Sequence, residues 1–259
     1  RERVTNAFIV PAVLQFMCDV PGAAGRDYSA LRAITYGASP ITSEVLRRAL
    51  DTFKAPLFQL YGMTETTGAI VQLEPEDHDP GGPRARLMRS AGRPYDWVEL
   101  KIVEPGGHAE RPVGEVGEVL VRSVQNTPGY WNRPEETAQL ITEDGWLRTG
   151  DAGYVDAEGY LFLTDRIKDM IVTGAENVYP IEVEEVLAAH PAIADVAVIG
   201  VPDERWGETV KAVVVPAPGA TLTEDEVIEY ARERLAGFKR RVPNRRGRST
   251  PRAWSPSAT

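Results

Sequence analysis

The sequence predicts an α/β fold with a large domain and a second, smaller α+β domain. Residues 4–60 alternate helical and strand-like segments, which is the pattern of a parallel sheet flanked by helices. Residues 93–160 instead contain short alternating strands separated by turns, and this predicts a small antiparallel sheet or β-barrel. The predicted parts are therefore a large domain at 1–165 (α/β sheet at 1–90, β-barrel-like part at 91–165), a small domain at 166–238, and a disordered tail at 239–259.

The first region contains two predicted helices and two predicted strands. Apolar residues recur at helical spacing in "VPAVLQFMCDV" (10–20) and in "TSEVLRRALDTF" (42–53), where Thr42 and Ser43 are candidate caps. The predicted buried strands are "LRAITYG" and "PLFQLYG", which end at Gly37 and Gly62. Ligands of α/β sheets usually bind at the carboxyl ends of strands, so both glycines lie where a site is expected.

The second and third regions, residues 91–165 and 166–238, are predicted to contain short strands with a few helices. The predicted strands of the second region are "VELKIVE", "GEVGEVLVRS" and "GYLFLTD", separated by "PGG" and "DAEG" turns and by one helical segment, "RPEETAQLI". The predicted elements of the third region are the strands "MIVTG", "ADVAVIGV" and "KAVVVP", the helix "PIEVEEVLAAH" with Pro180 in its first turn, and a final helix. Thr223 and Glu226 form a capping box at its start, and Gly237 is suited to its end.

Composition excludes several classes of protein. Of 259 residues 42% are hydrophobic and 26% charged, as in ordinary globular proteins. Cys18 is the single cysteine and lies far from the three histidines, so neither a disulfide framework nor a Cys/His metal site is expected. This cysteine usage favours a reducing cytoplasm. No apolar run is long enough to span a membrane and no signal peptide is recognisable in the first residues. The oligomeric state cannot be predicted.

The charge distribution disfavours nucleic acid as a partner. The net charge is −9. Seven of the 29 basic residues, but none of the 38 acidic residues, lie at Lys239 or after it. Residues 1–238 therefore contain 22 basic and 38 acidic residues, an excess of negative charge that would repel a nucleic acid. The tail that follows, "RRVPNRRGRSTPRAWSPSAT", turns abruptly to Arg, Pro and Ser. Such a change is typical of a shifted reading frame in GC-rich DNA rather than of a nucleic-acid-binding arm.

The segment "LYGMTETTG" (60–68) follows the apolar run "APLFQ", so it is predicted to be an open polar loop at the end of a strand. It has the residue types of a phosphate and metal site. Thr64 and Thr66 offer hydroxyl donors, and Glu65 offers the hard oxygen that Mg²⁺ prefers together with phosphate oxygens. Tyr61 could stack on a base. The structural alternative is that Thr64 caps a helix and Glu65 is solvated.

Two further segments are ambiguous by themselves. In "WLRTGD", Asp151 could accept hydrogen bonds from a ribose or could simply form a turn after Gly150. In "TDRIKDM", alternating charges could form a solvated connector. Several familiar motifs are absent: the nucleophile elbow, the dinucleotide fingerprint, the Walker loop with its Lys, and the zinc-protease helix.

The order of these segments along the chain resembles the acyl-adenylate-forming, AMP-binding superfamily, and within it the acyl-CoA synthetases. The segments that carry the resemblance are "YGASP", "YGMTET", "GYWNRPEET", "WLRTGD", "GYLFLTDRIKDMIVTGAENVYPIEVEEVL" and "VIGVPDERWGE". The resemblance implies the carboxyl-terminal half of a ligase that joins a carboxylic acid, fatty or aryl, to ATP and then transfers the acyl group to coenzyme A, with Mg²⁺ as cofactor. It also implies that the small domain is mobile.

Site roles follow from the resemblance residue by residue. The implied nucleotide site consists of Gly37, Ala38, Ser39 and Pro40 along the adenine, Tyr61 stacked on it and followed by Gly62, Thr64 on the phosphate, Glu65 on Mg²⁺, and Asp151 with Arg166 on the ribose. Lys168 takes the hinge position between the domains. Gly174 and Ala175 lie on the loop that lines the thiol tunnel, and Glu176 with Asn177 is similar to the CoA-ligase form of that loop.

Two departures from the family pattern concern the ends. No Ser/Thr/Gly-rich phosphate loop with its Lys precedes "YGASP", and residue 1 is not Met, so we expect Arg1 to lie within a longer enzyme. Pro243–Arg248 is only faintly similar to the family's terminal Pro-x-x-x-x-Gly-Lys segment, and Arg does not replace Lys at a close phosphate contact. Residues 1–259 alone are thus expected to adenylate weakly or not at all. The alternatives are a non-catalytic nucleotide- or CoA-binding remnant and an adenylation domain that loads a carrier protein.

Overall fold

The structure is a computed structural model that describes residues 3–39, 41–174 and 176–235. It divides into two compact units, Arg1–Ile167 and Lys168–Thr259, and each is described here by itself. The boundary between them lies two residues after the position at which the sequence places the end of the large domain.

The first unit begins with a five-stranded sheet in the order β1-β2-β3-β4-β5. Its strands are β1 (Asn6–Ile9), β2 (Ala33–Gly37), β3 (Leu57–Met63), β4 (Gly68–Leu73) and β5 (Arg93–Pro94). The first three are parallel, whereas β4 and β5 run antiparallel to their neighbours. β2 and β3 confirm the predicted strands. β1 and β4 were missed, because four residues are too few to show a period and β4 follows a turn that the sequence pattern suggested was an open loop.

Helices α1 (Pro11–Asp19) and α2 (Ser43–Phe53) pack on this sheet and confirm the predicted helices. The Thr42 hydroxyl accepts a hydrogen bond from the Val45 backbone N–H at 3.3 Å, so Thr42 is the cap. The apolar face of α2 lies in one core cluster with β2 and β3, whose fully buried members include Leu46, Ile34 and Leu57. This packing fixes the two strands that lead into the candidate site.

The second sheet of the first unit has four antiparallel strands in the order β6-β7-β8-β9. They are β6 (Val98–Val103), β7 (Gly117–Ser123), β8 (Leu147–Val155) and β9 (Leu161–Arg166), with α3 (Pro134–Leu140) between β7 and β8. The interpretation of "WLRTGD" as a turn was wrong, because these residues enter the nine-residue strand β8. The glycine suggested the turn, and Gly150 does have a φ of 70°. It lies at a register shift of β8, and the residues on either side of it pair with β7 and β9.

The second unit is a four-stranded antiparallel sheet with two helices. Its sheet has the order β11-β10-β13-β12, and its elements are β10 (Ile171–Thr173), β11 (Glu176–Val178), α4 (Pro180–Ala188), β12 (Ile193–Asp203), β13 (Gly207–Pro216) and α5 (Glu224–Arg234). Pro180 occupies the first turn of α4, and Thr223 and Glu226 form the predicted capping box. Gly237 lies outside the described residues, and α5 ends before it. In the described part of the chain, no helix has the length and apolarity needed to cross a membrane.

Candidate functional site

The centre of the candidate site is the tight turn between β3 and β4. Thr64–Thr66 forms one turn of 3₁₀ helix, and Thr67 follows in the left-handed region with a φ of 51°. A Cβ at Gly62 would lie 2.1 Å from the Gly68 carbonyl oxygen, so only glycine permits this close approach of the two strands. The segment is therefore a rigid strand end and turn rather than the open polar loop that the sequence suggested.

Thr66 is a structural residue of this turn. Its side chain is completely buried, and its hydroxyl accepts a hydrogen bond from the Met63 backbone N–H at 3.0 Å. The same oxygen lies 2.7 Å from the Gly68 carbonyl and 3.0 Å from the Met63 carbonyl, either of which accepts its proton. The expectation that Thr66 donates to a phosphate was wrong, since burial and these bonds occupy its hydroxyl. Thr64 is exposed. It does not cap an α-helix, because the 3₁₀ turn at Thr64–Thr66 leads directly into strand β4.

Glu65 is held by the loop that follows β7. The Tyr130 hydroxyl donates to Glu65 Oε1 at 2.7 Å, and the Thr127 backbone N–H donates to the Glu65 carbonyl at 2.7 Å. The hydrogen bond to Glu65 raises the pKa of Tyr130, and burial and the carboxylate charge act in the same direction. Glu65 is therefore a half-buried, oriented carboxylate and not a freely solvated one. The sequence reasoning assigned no role to Tyr130, although it lies in the quoted "GYWNRPEET" segment.

Asp151 contacts both Tyr61 and Arg166. The resemblance placed Asp151 and Arg166 together on the ribose, but it did not imply the contact with Tyr61. The Tyr61 hydroxyl donates to Asp151 Oδ2 at 2.6 Å, and Arg166 Nε lies 2.9 Å from Asp151 Oδ1. Asp151 and Arg166 are direct cross-strand partners in β8 and β9, which explains their contact. Thr149 supports the position, because its hydroxyl accepts from the Asp151 N–H at 3.1 Å and donates to the Val119 carbonyl at 2.8 Å.

The electrostatics of this cluster keep the Tyr61 hydroxyl protonated. Burial raises the pKa of Tyr61 well above its usual value, and the charge of Asp151 raises it further. Burial also raises the pKa of Asp151, against the opposing effects of the Tyr61 hydrogen bond and the Arg166 charge. The Asp151 side chain is 13% exposed, whereas the Arg166 side chain is 54% exposed. The cluster thus combines a fixed carboxylate with a guanidinium that still faces solvent.

The end of β2 packs closely against β3 at Gly37, just before the exposed residues Ala38 and Ser39. Gly37 is buried, and a Cβ there would lie 2.2 Å from the Leu60 carbonyl oxygen, so the glycine is required by the close approach of β3. Ala38, with a φ of 70°, and Ser39 are exposed, and Pro40 lies outside the described residues. No contact of the described residues tests the expected adenine-lining role, which remains a prediction.

Beneath Gly37, the preceding Tyr36 forms a buried polar contact. Its hydroxyl lies 2.8 Å from His78 Nε2, and His78 Nδ1 lies 2.8 Å from the Glu74 carbonyl oxygen. Burial lowers the pKa of His78, which favours the neutral ring. A neutral ring that donates from Nδ1 to the carbonyl presents Nε2 as an acceptor to the Tyr36 hydroxyl, which also lies 3.1 Å from Gln59 Oε1. This contact therefore supports the end of β2.

The remaining predicted residues lie in the second unit. Lys168 belongs to a short 3₁₀ turn, Ile167–Asp169, and is the first residue of that unit. Gly174, with a φ of 61°, forms the turn between β10 and β11, where its N–H donates to the Trp206 carbonyl at 2.9 Å. Glu176 and Asn177 are exposed on β11, and Ala175 lies outside the described residues. The hinge and tunnel roles remain predictions.

The donor chemistry around Glu65 fits a magnesium ion. Among the described residues no group of three or more His, Cys, Asp or Glu side chains is arranged to hold a metal. Mg²⁺ in nucleotide sites does not need one, since it takes one or two carboxylates and completes its shell with phosphate oxygens and water. Glu65 Oε2 accepts no hydrogen bond from the described residues, and the exposed Thr64 hydroxyl belongs to the adjacent residue.

Two family models match the chain. The model described as "AMP-binding enzyme" matches residues 1–131, and the model described as "AMP-binding enzyme C-terminal domain" matches residues 182–245. The first covers just over half of the 259 residues.

The chain is also similar to curated and structurally solved proteins. It is 44% identical over 236 residues to the fatty acid–[acyl-carrier-protein] ligase ScoC of Streptomyces coeruleorubidus, which covers 91% of this chain and 44% of that protein. It is 41% identical over 239 residues to a feruloyl-CoA synthase of an Amycolatopsis species, covering 92% and 47%. The solved amide bond synthetase McbA of Marinactinospora thermotolerans has a TM-score of 0.80 at 41% identity, covering 93% and 48%. The chain thus spans less than half the length of these relatives.

Proposed function

Because the chain belongs to the AMP-binding enzyme family, we propose that it forms part of an ATP-dependent ligase that activates a carboxylic acid and transfers it to a thiol. In the first step a carboxylate oxygen attacks the α-phosphorus of ATP, and pyrophosphate leaves. In the second step the thiol sulfur of coenzyme A attacks the acyl carbon, and AMP leaves. The observation that carries the proposal is the buried Asp151, which is held between Arg166 and Tyr61. Tyr61 lies on β3, the strand that ends at the turn of Thr64 and Glu65.

Asp151 is suited to hold a ribose. Each of its oxygens accepts one bond from the protein, and an ionised carboxylate with about four lone-pair sites has room for two hydroxyl donors. Its low exposure and its two partners fix its orientation before ligand arrives, so a diol would meet a preorganised acceptor. The exposed guanidinium of Arg166 offers further N–H donors to the nucleotide.

Glu65 and Thr64 would serve the phosphates. Mg²⁺, when bound, neutralises phosphate charge; Glu65 would hold it, and the Thr64 hydroxyl would donate to a phosphate oxygen. Gly62 permits the tight strand pairing that places this turn, and Thr66 locks it from inside. Catalysis of this kind needs positioning and charge stabilisation rather than a protein nucleophile, since the substrate carboxylate is the nucleophile itself.

The acid and the acceptor are inferred from the relatives. A fatty or aryl acid is favoured because relatives include fatty acid, feruloyl and indoleacetate ligases. Coenzyme A is favoured as the acceptor because several relatives are named as CoA ligases or synthases. The pair Glu176 and Asn177 also resembles the CoA-ligase form of the loop. A carrier-protein thiol is the second candidate, because ScoC, at 44% identity, is named as a carrier-protein ligase.

The test is equilibrium binding of ATP with Mg²⁺ to the 259-residue chain and to its Asp151→Asn variant. We expect the substitution to weaken binding about 10-fold, the effect of losing roughly 1.4 kcal/mol of charge-assisted hydrogen bonding. Asp156→Asn is the matched control, since Asp156 is also paired with an arginine, Arg86 at 2.7 Å, but away from Tyr61. Equal affinity of the Asp151 and Asp156 variants would contradict the ribose role.

A second assay separates the acceptors. The longer protein is given ATP and a panel of fatty and aryl acids, and pyrophosphate release and thioester formation are measured with free coenzyme A and with a phosphopantetheinyl carrier protein. Faster thioester formation on coenzyme A is expected. Transfer to the carrier alone would favour the second candidate, and nucleotide binding without pyrophosphate release would favour a non-catalytic binding module.

A further inference from the structure

We infer that Tyr130 is a positioning residue that orients the Glu65 carboxylate for Mg²⁺, and that residues 125–130 form a clamp on the turn that carries Glu65. This inference rests on the proposed function, because it takes Glu65 as the magnesium ligand. The resemblance assigned roles to the turn itself and none to the residues of the clamp.

Three residues of the clamp converge on the turn. The Tyr130 hydroxyl donates to Glu65 Oε1 at 2.7 Å, and the Thr127 N–H donates to the Glu65 carbonyl at 2.7 Å. The Gln125 side-chain amide donates to the carbonyls of Thr66 and Ala69 at 2.7 and 2.9 Å. The turn therefore receives side-chain and backbone donors from one short loop that lies about 60 residues away in sequence.

The clamp is itself fixed at both ends. At one end, Gln125 Oε1 accepts a hydrogen bond from Trp97 Nε1 at 2.7 Å. At the other end, the Tyr130 N–H donates to the Thr137 hydroxyl of α3 at 2.9 Å. Gly129 packs so closely on Thr137 that an added Cβ would lie 2.4 Å from its methyl carbon. Tyr130 therefore approaches Glu65 from a loop whose ends are held by Trp97, in the turn before β6, and by helix α3.

The bond pattern on the Glu65 carboxylate suits monodentate ligation. Tyr130 occupies Oε1, and Oε2 accepts no hydrogen bond from the described residues. Mg²⁺ demands near-octahedral geometry and short bonds, so a carboxylate held in one rotamer loses less orientational freedom when it binds.

The test is the Tyr130→Phe variant of the full 259-residue chain. The quantity measured is the ratio of the ATP dissociation constant in EDTA to that in excess Mg²⁺, by calorimetry. We expect Tyr130→Phe to reduce this ratio about 10-fold, as removal of residues that orient metal ligands commonly does, and to leave the dissociation constant in EDTA unchanged. Tyr28→Phe is the matched control, since the Tyr28 hydroxyl donates to the Ala23 carbonyl at 3.0 Å, in a different part of the first unit.

Three outcomes would overturn the inference. An unchanged ratio in Tyr130→Phe would show that the hydroxyl does not serve the metal. An equal loss of affinity with and without Mg²⁺ would show a general disturbance of the turn instead. A ratio of one in the unmodified chain would overturn the proposed magnesium role of Glu65 as well, which distinguishes that failure from the first two.

Discussion

Substitution of Gly62 by alanine should strongly destabilise the first unit. The added Cβ would lie 2.1 Å from the Gly68 carbonyl oxygen and 2.8 Å from Ala69 Cα, and both obstructing atoms belong to the backbone of β4. Since no side chain can rotate away, the strands must separate by about 1 Å, and overpacking of this kind costs roughly 1–3 kcal/mol. We expect a loss of stability near the upper end of this range, because the lower entropy of the unfolded alanine variant offsets only about 0.4–1 kcal/mol of the cost.

The assay is urea denaturation followed by circular dichroism and tryptophan fluorescence. Gly25→Ala is the control, since a Cβ at Gly25 would meet no atom within 4 Å and its φ is not in the left-handed region. We expect the control to change the free energy of unfolding by less than about 0.5 kcal/mol. A Gly62→Ala chain as stable as the control would refute the reasoning, because it would mean that β3 and β4 are not paired this closely. Weaker binding of ATP with Mg²⁺ should accompany the loss of stability.

Three further predictions concern stability. Thr66→Val keeps the shape of a buried residue but leaves two backbone groups unpaired, so urea denaturation should show a loss of about 1–3 kcal/mol. Burial lowers the pKa of His78 in the folded chain. As the pH falls below about 6.5, the unfolded chain therefore binds the proton first and the free energy of unfolding decreases. His78→Gln should flatten this pH dependence between about pH 5 and 7, whereas the control His108→Gln, at an exposed position, should not. Thr223→Ala removes the capping box with Glu226 and should cost about 1 kcal/mol, measured by thermal denaturation followed by far-ultraviolet circular dichroism.

Much of the fold follows from local sequence patterns. The 3.6-residue period and the Thr42 cap predict α2, and the capping box predicts the start of α5, because these signals lie within the segment that folds. β8 could not be predicted in this way. Gly150 with its positive φ is typical of a turn, and only pairing with two neighbouring strands places Leu147–Val155 in a sheet.

The sequence by itself predicted the family, which the family models confirm. It also singled out Tyr61, Glu65 and Asp151, because they lie in motifs of characteristic order and spacing, and their roles stay predictions. Tertiary structure decided how these residues are held. It buried Thr66 inside the turn and placed Tyr130 on the carboxylate of Glu65. These outcomes depend on strand pairing and on contacts between residues about 60 positions apart, and no local periodicity or cap encodes such contacts.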